Sequence, residues 1–286
     1  MLHRFVLHNG EIRDVSEHLL SAGQVGLLSG WGVFTTLKVA AGVLFAFERH
    51  WARMARDAAA LHVTLPGDPD GLRRRLHDLV EANGAHDSTM RLAVVRNLGG
   101  MWADPQVTRP SDVIALTADT KDWGEGARLT YTPYARYAAS RFAGAKILSW
   151  AMNLTWLEEA KAKGFDEVIL LNERGEVAEC TSANVFVAKG DRVWTPPLAS
   201  GCLPGVTREL LLSAVRVPEF PVEERTLFPA DLESAGEVFI TSTTRGLLPV
   251  TAIDGHAPPR ARAAVTALQA ALSSYVAEYV AKHRDR

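Results

Sequence analysis

A lysine, an acid and a Pro-Gly helix start, spaced between Gly144 and Arg208, are the positions best equipped for chemistry in this chain. Lys146 stands in GAKILSW, after small residues and before Ile147, Leu148 and Trp150. On a pleated strand its amine would sit among apolar neighbours, and desolvation would lower its pKa from about 10.4 towards neutrality. Such an amine is a nucleophile able to form a Schiff base with a carbonyl. A solvated lysine at a strand end fits the same local pattern. Lys161 and Lys163, in LEEAKAKGF, read differently, as surface charge on a polar helical face closed by Gly164. Glu179 ends a strand inside the small and apolar run AECTSANVF, where a carboxylate needs a partner unless it lies on a wet edge. In GCLPGVTRELLLSAV, Pro204 and Gly205 lead into a helix carrying Leu210, Leu211, Leu212 and Val215. Its first N–H groups, at Val206 and Thr207, are suited to an anion such as phosphate.

These residues depend on the elements around them. DEVILLNERGEVAE reads as two strands joined at Arg174 and Gly175, and SANVFVAKGDRVWTPP as a hairpin through Lys189, Gly190 and Asp191. The chain begins with an Asn9-Gly10 hairpin in FVLHNGEIR. GLLSGWGVFTTLKVAAGVLFAF follows as two strands turning at Ala41 and Gly42, with Gly26, Gly30 and Gly32 just ahead of them. That glycine run lacks the Lys-Ser/Thr of a phosphate loop and leads into a strand, which excludes a nucleotide site. FERHWARMARDAAALHV predicts a helix with Trp51, Met54 and Leu61 near helical spacing. PDGLRRRLHDLVEANG predicts a second, with Leu72, Leu76, Leu79 and Val80 on one face, Gly84 at its end and Arg73 to Arg75 on a solvated face. MRLAVVRNLGGMW and DVIALTAD are strands. Arg91 and Arg96 are an odd number of residues apart on the first of these, so they point to opposite faces, and one of them could bind a substrate carboxylate. The polar stretch TKDWGEGAR, residues 120–128, marks a boundary between a first domain, 1–119, and a second, 129–286. In the second, EVFITSTT runs out into four hydroxyl residues, Thr241 to Thr244, and Leu268, Leu272, Tyr275, Val276 and Tyr279 line one side of a last helix.

The order of lysine, acid and glycine turn resembles the class IV, or fold-type IV, family of pyridoxal-phosphate enzymes. Its members include branched-chain aminotransferases, D-amino acid aminotransferases and aminodeoxychorismate lyases. The motifs that carry the resemblance are Glu179 through Phe186, the run Leu203-Pro204-Gly205-Val206-Thr207-Arg208, the entry Gly30-Trp31-Gly32-Val33-Phe34, and His50-x-x-Arg53. The resemblance implies an α/β (α+β) chain of two domains, a small α/β domain and a larger one with a β-barrel-like sheet core. It implies pyridoxal 5'-phosphate carried by Lys146, with Glu179 facing the pyridine nitrogen so that the ring stays an electron sink. Arg53 would grip the phosphate with its guanidinium fork, joined by Val206, Thr207, Ser242 and Thr243, while Trp150 lies by the ring. Phe34, Thr35, Arg96 and Thr244 would face the substrate. Arg96 is preferred to Arg91 because its place before Leu98-Gly99-Gly100 resembles an Arg-Gly-x-Gly-Gly stretch of related lyases. A homodimer is implied as well.

The chain departs from the family pattern in three places. Trp150 stands where branched-chain enzymes usually carry a tyrosine; Gln24 replaces an acid, and Trp31 interrupts a Gly-Asp-Gly form; Thr35-Thr36 follow Phe34 where Glu-Thr is usual. Phe-Thr-Thr with Glu179-Cys180 leans towards the lyase branch. The expected activity is amino transfer between a small or branched-chain amino acid and a 2-keto acid. The alternatives are a lyase releasing 4-aminobenzoate and pyruvate, with Thr35 assisting the leaving group, and a family member that binds the cofactor without turnover. Composition narrows the partners. Lys and Arg number 31 against 33 acids, a net charge of -2, which gives no footprint for nucleic acid. No run is long enough to span a bilayer, and MLHRFVLHNGEIRD has no signal core, so a cytoplasmic protein is expected. Cys180 and Cys202 read as free thiols used in packing, and the nine histidines lack metal-ligand spacing.

Overall fold

The computed structural model describes residues 1–101, 104–257 and 261–284. It opens with the predicted hairpin, β1 (Leu2–His8) and β2 (Glu11–Asp14), turning at Asn9 and Gly10. Next comes an element that the sequence did not announce. Val25–Ser29 forms a short helix, α1, in place of a direct run into strand. Gly26 is required there, because a Cβ would lie 2.4 Å from the Arg96 carbonyl oxygen and 2.5 Å from that of Trp31. Gln24, the residue standing for the family's acid, precedes this helix, and its buried side chain bonds elsewhere than to the helix start. Its amide nitrogen donates to Asn97 and Asp112, and its oxygen accepts from Ser21 N–H.

The chain then forms β3 (Gly32–Ala40) and β4 (Val43–Leu44), followed by α2 (Phe47–Ala60) and α3 (Pro69–Asn83). Asp68 caps α3 by accepting from Gly71 N–H at 2.8 Å, Pro69 fits its first turn, and Gly84 closes it. β5 (Ser88–Arg96) and β6 (Ser111–Asp119) complete an antiparallel six-stranded sheet in the order β2-β1-β6-β5-β3-β4. The run read as strand up to Trp102 stops at Arg96, since Gly99 and Gly100 turn away with φ of 97° and 88°; Trp102 itself lies outside the described residues. Strand alternation sorts β3 and β5 into two faces. Val33, Leu37 and Val39 with Met90, Leu92 and Val94 meet Met54 and Ala58 of α2 and Leu72, Leu76, Leu79 and Val80 of α3. Each fully enclosed leucine here, such as Leu76 or Leu79, is worth about 1.5–3 kcal/mol. Arg74 and Arg75 are exposed as expected, but Arg73 lies half-buried over the Phe47 ring at 5.7 Å.

β7 (Ala127–Arg136) begins a second sheet, so Ala127 and Arg128 of the polar stretch are already strand. A crossover through α4 (Ala151–Ala162) returns to β8 (Glu167–Asn172), which pairs parallel to β7. β9 (Val177–Cys180), β10 (Asn184–Lys189) and β11 (Arg192–Thr195) follow with the predicted turns, and α5 (Val206–Ser213) starts after Gly205 as expected. β12 (Val222–Glu224), α6 (Pro229–Glu233), β13 (Glu237–Ser242) and β14 (Gly246–Ile253) complete an eight-stranded sheet ordered β12-β11-β10-β13-β14-β7-β8-β9. Ile169, Val185, Val187, Ile240 and Val250 lie in its core. The last helix, α7, covers Ala263–His283. The fold is thus mixed α/β with two curled sheets.

The chain separates into two compact units, each built on one sheet. The first comprises Met1–Lys121, Lys146–Trp150 and Glu278–Arg286, and the second Asp122–Ala145 and Ala151–Ala277. The lysine segment therefore belongs to the first unit, although its neighbours in sequence belong to the second.

Candidate active site

Lys146 is not on a regular strand. Its segment lies along the edge of β3, forming a single antiparallel bridge between Val33 and Ile147. The main chain is gripped on both sides: Phe34 N–H donates to the Lys146 carbonyl at 3.1 Å, and the Lys146 N–H donates to Asp57 Oδ2 at 3.0 Å. Leu148 N–H adds a bond to the Gly32 carbonyl at 3.0 Å. The amine that results lies 4.6 Å from the Phe34 ring centroid and 5.9 Å from that of Trp150, and the two rings meet edge-on. The structure thus brings Lys146, Phe34 and Trp150 together.

The strand faces decide which arginine joins them. Phe34 and Arg91 are both on the face of the sheet away from α2 and α3, and the Arg91 guanidinium lies 4.4 Å from the Phe34 ring centroid. Arg91 is exposed as a residue, although burial of its guanidinium lowers its pKa, and it makes no hydrogen bond among the described residues. Arg96 points the other way. It stacks on Trp31 at 4.2 Å and spends its donors on the carbonyls of Leu98 and His62. The sequence favoured Arg96; the structure puts Arg91 on the lysine's side, because strand parity relative to Phe34 decides the matter.

On the opposite face, His50, Arg53 and Asp57 form a buried polar stripe along α2 at helical spacing. Arg53 Nη2 donates to Thr35 Oγ1 at 2.8 Å, and the same hydroxyl shares a 2.7 Å hydrogen bond with His50 Nδ1. Thr35 is 1% exposed on this helix-covered face. Its hydroxyl is thus held between His50 and Arg53. Burial, then the charges of Arg53 and Lys146, push the His50 pKa well below its ordinary value, so the imidazole is neutral.

In the second unit, Glu179 lies on β9 and is almost fully enclosed. One carboxylate oxygen accepts from Arg136 Nε at 3.1 Å and the other from Leu203 N–H at 3.0 Å. Arg136 also reaches Asn153 Oδ1 at 3.3 Å and lies 5.9 Å from the centre of the Trp156 ring system. It was not singled out in the sequence, where the alternation LTYT ending in an arginine was the available sign of β7. Leu203 belongs to the turn entering α5, and its carbonyl accepts from Asn184 Nδ2 at 2.9 Å. Asn184 pairs in register with Thr241, the residue before Ser242 and Thr243. The acid, the helix start and the hydroxyl turn are thereby linked within one sheet.

The α5 start has open chemistry. Gly205 makes no side-chain cap, leaving the N–H groups of Val206 and Thr207 directed off the helix end. The Thr241 hydroxyl is buried without a hydrogen-bond partner among the described residues. Ser242 Oγ instead closes its own turn, accepting from Arg245 N–H at 3.2 Å and lying 3.3 Å from Thr244 Oγ1. That turn is braced by Arg245, whose guanidinium donates to the buried Glu167 carboxylate at 3.0 Å. Burial lifts the thiol of Cys180 well above its usual range and that of Cys202 to about 12, which suits packing rather than reactivity. No group of three or more potential metal ligands occurs among the described residues.

Comparison with known proteins bears on these clusters. The family description Amino-transferase class IV matches residues 32–253. The chain is 30% identical to a D-alanine aminotransferase of Bacillus licheniformis, over 96% of this chain and 99% of the relative. It is 29% identical to a putative branched-chain-amino-acid aminotransferase of Methanocaldococcus jannaschii, over 87% of each. In fold it is similar to the branched-chain aminotransferase of Thermoproteus uzoniensis crystallised with norvaline, with a TM-score of 0.87, 23% identity and 97% of each chain covered. With the family match covering most of its length, including Lys146, Glu179 and the α5 start, the chain belongs to the class IV aminotransferases, enzymes that depend on pyridoxal phosphate.

Proposed function

We propose that this enzyme transfers an amino group between a small or branched-chain amino acid and a 2-keto acid, with Lys146 as the residue that holds the cofactor and carries the proton. The observation that supports this most is the seat of Lys146, whose main chain is fixed at both N–H and C=O while its amine stands over Phe34 and Trp150. The residues fit pyridoxal phosphate by their chemistry: a primary amine for its aldehyde, a buried carboxylate for its ring nitrogen, and a helix start with hydroxyls for its phosphate. The orphaned Thr241 hydroxyl beside that hydroxyl turn is the mark of a polar group still to be met. When bound, the cofactor supplies an electron sink for the charge left on the substrate α-carbon.

The remaining roles fall to the chain itself. Lys146 takes the α-proton with its amine and returns it on the other side of the exchange. Glu179 would face the ring nitrogen, and Arg136 fixes the orientation of that carboxylate by donating to it. Arg53, Val206, Thr207, Ser242 and Thr243 take the phosphate. Arg91, whose guanidinium lies on the face of Phe34 with no hydrogen bond among the described residues, takes the substrate carboxylate in preference to Arg96, and Thr244 borders the same substrate. Trp150 supplies a ring face where a tyrosine would supply a hydroxyl, so the cofactor's ring oxygen must find another donor. The Thr35 hydroxyl, enclosed between His50 and Arg53, orients Arg53 and is not placed to assist a leaving group, which favours transfer over the lyase reaction.

The small first domain and larger cofactor-binding second domain of the family, a homodimer and a cytoplasmic setting complete this reading. No helix among the described residues is long and apolar enough to cross a membrane. The test is an absorbance titration of the purified protein with L- and D-amino acids, with keto-acid products assayed, beside Lys146→Ala. The expected outcome is conversion of the cofactor band by one donor class, at least a thousandfold slower in the variant. Pyruvate release from aminodeoxychorismate with no conversion by any amino acid would move the assignment to the lyase.

A further inference from the structure

Among the enclosed acids that the reaction above leaves unused, one lies on the helix that carries Arg53. Asp57 is 2% exposed and lies four residues beyond Arg53 on α2, so the two side chains share a helix face. A carboxylate so far from water needs its oxygens filled. Oδ1 accepts from Arg56 Nε at 3.0 Å, a local partner whose side chain is itself 52% exposed. Oδ2 reaches across 89 positions of sequence to accept from the Lys146 N–H at 3.0 Å. The segment receiving this bond has no helix or strand of its own, only the bridge between Val33 and Ile147 and the bonds that flank it. Phe34 holds the Lys146 carbonyl from the β3 side, and Asp57 holds its N–H from the α2 side.

We infer that Asp57 is a positioning residue for Lys146. Its carboxylate seats the lysine main chain on the helix that carries Arg53, so that one turn of α2 sets the register between the amine and the guanidinium. The inference rests on the aminotransferase reading for the roles of those two groups. It assigns to Asp57 no contact with substrate or cofactor. What the bond requires is an acceptor oxygen at that position; the negative charge is secondary. Asp57→Asn keeps the oxygen, whereas Asp57→Ala removes it and leaves the Lys146 N–H without its acceptor.

The experiment is reductive trapping: full-length protein is mixed with pyridoxal phosphate and cyanoborohydride, and adducts are located and timed by peptide mass spectrometry. Exposed Lys161 and Lys163 serve as internal standards for non-specific labelling. The pH titration of the visible band of bound cofactor is followed in parallel, and circular dichroism verifies folding. Asp57→Ala is expected to trap at Lys146 at least tenfold more slowly than wild type, with Lys161 and Lys163 labelled unchanged and the visible-band titration displaced. Asp57→Asn is expected within threefold of wild type. Folded Asp57→Ala that traps at the wild-type rate overturns the inference. If the alanine variant does not fold, a tenfold loss in folded Asp57→Asn overturns it equally. Wild-type protein that gives no adduct at Lys146 overturns the aminotransferase reading itself, a result distinguishable from either.

Discussion

His50 shows how much one enclosed side chain can couple to pH. The residue is 1% exposed, its Nδ1 is engaged with Thr35, and its Nε2 has no hydrogen-bond partner among the described residues. Since Arg53 can only donate to Thr35 Oγ1, the hydroxyl hydrogen is free to go to Nδ1, which leaves the ring proton on Nε2. A second proton is opposed by burial and by the charges of Arg53 and Lys146, so the folded pKa lies well below the unfolded value of about 6.5. The sign follows from linkage. Below about pH 6.5 the unfolded chain binds a proton that the native chain refuses, so the contribution is fully present above that pH and fades as pH falls, by about 1.4 kcal/mol per unit. Urea unfolding of wild type and His50→Gln at pH 7.5, 6.5 and 5.5 is the measurement. The stability advantage of the wild type is expected to shrink by about 1 kcal/mol between pH 7.5 and 5.5; a constant gap would remove the argument. This residue was visible in the sequence as part of His-x-x-Arg, but its task was not, because the Thr35 contact depends on strand parity. Arg91 and Arg96 illustrate the same limit: period two separates them, and only the position of Phe34 says which faces the lysine.

The elements were legible where a turn or cap residue marks their ends. Asn9-Gly10, Ala41-Gly42, Asp68-Pro69 with Gly84, and Pro204-Gly205 each sit where a strand or helix begins or ends. Among the elements that escaped are α1 and β7, beside β12, α6 and β14. α1 is five residues long, too short for periodicity to register, and β7 carries Arg136 at its end in a run with few apolar residues. The interval from Glu179 to α5 was read as a motif, yet its physical basis is a chain of contacts through Leu203 and Asn184. Gly205 is the closest approach in that chain: an added Cβ would lie 2.1 Å from Asn184 Oδ1. Gly205→Ala is therefore expected to push the Asn184 amide off the Leu203 carbonyl and shift the α5 start, costing about 1–3 kcal/mol of stability. Phosphate binding should suffer more than the fold does, with at least a tenfold weaker affinity for pyridoxal phosphate by fluorescence titration. An affinity unchanged in a variant of lowered Tm would detach the α5 start from the phosphate role.

For the molecule as a whole, the surface of the second unit carries an argument about assembly. Tyr134 is 82% exposed, Tyr137 65% and Met152 66%, an unusual density of large apolar side chains for a face in water. Arg136, between the two tyrosines in sequence, contacts Asn153 and Trp156 of α4, the helix that carries Met152. The same arginine holds Glu179, so whatever covers this patch also bears on the acid assigned to the ring nitrogen. A second copy of the chain is the partner implied by the family, and with a net charge of only -2 little long-range repulsion opposes its approach. Sedimentation equilibrium is expected to give a two-chain species for the wild type. Tyr137→Asp combined with Met152→Glu places charge in the patch and is expected to shift the protein to single chains, with cofactor affinity lowered through Arg136. A wild-type protein that sediments as one chain at micromolar concentration would end the assembly argument and leave the patch to be covered by something else.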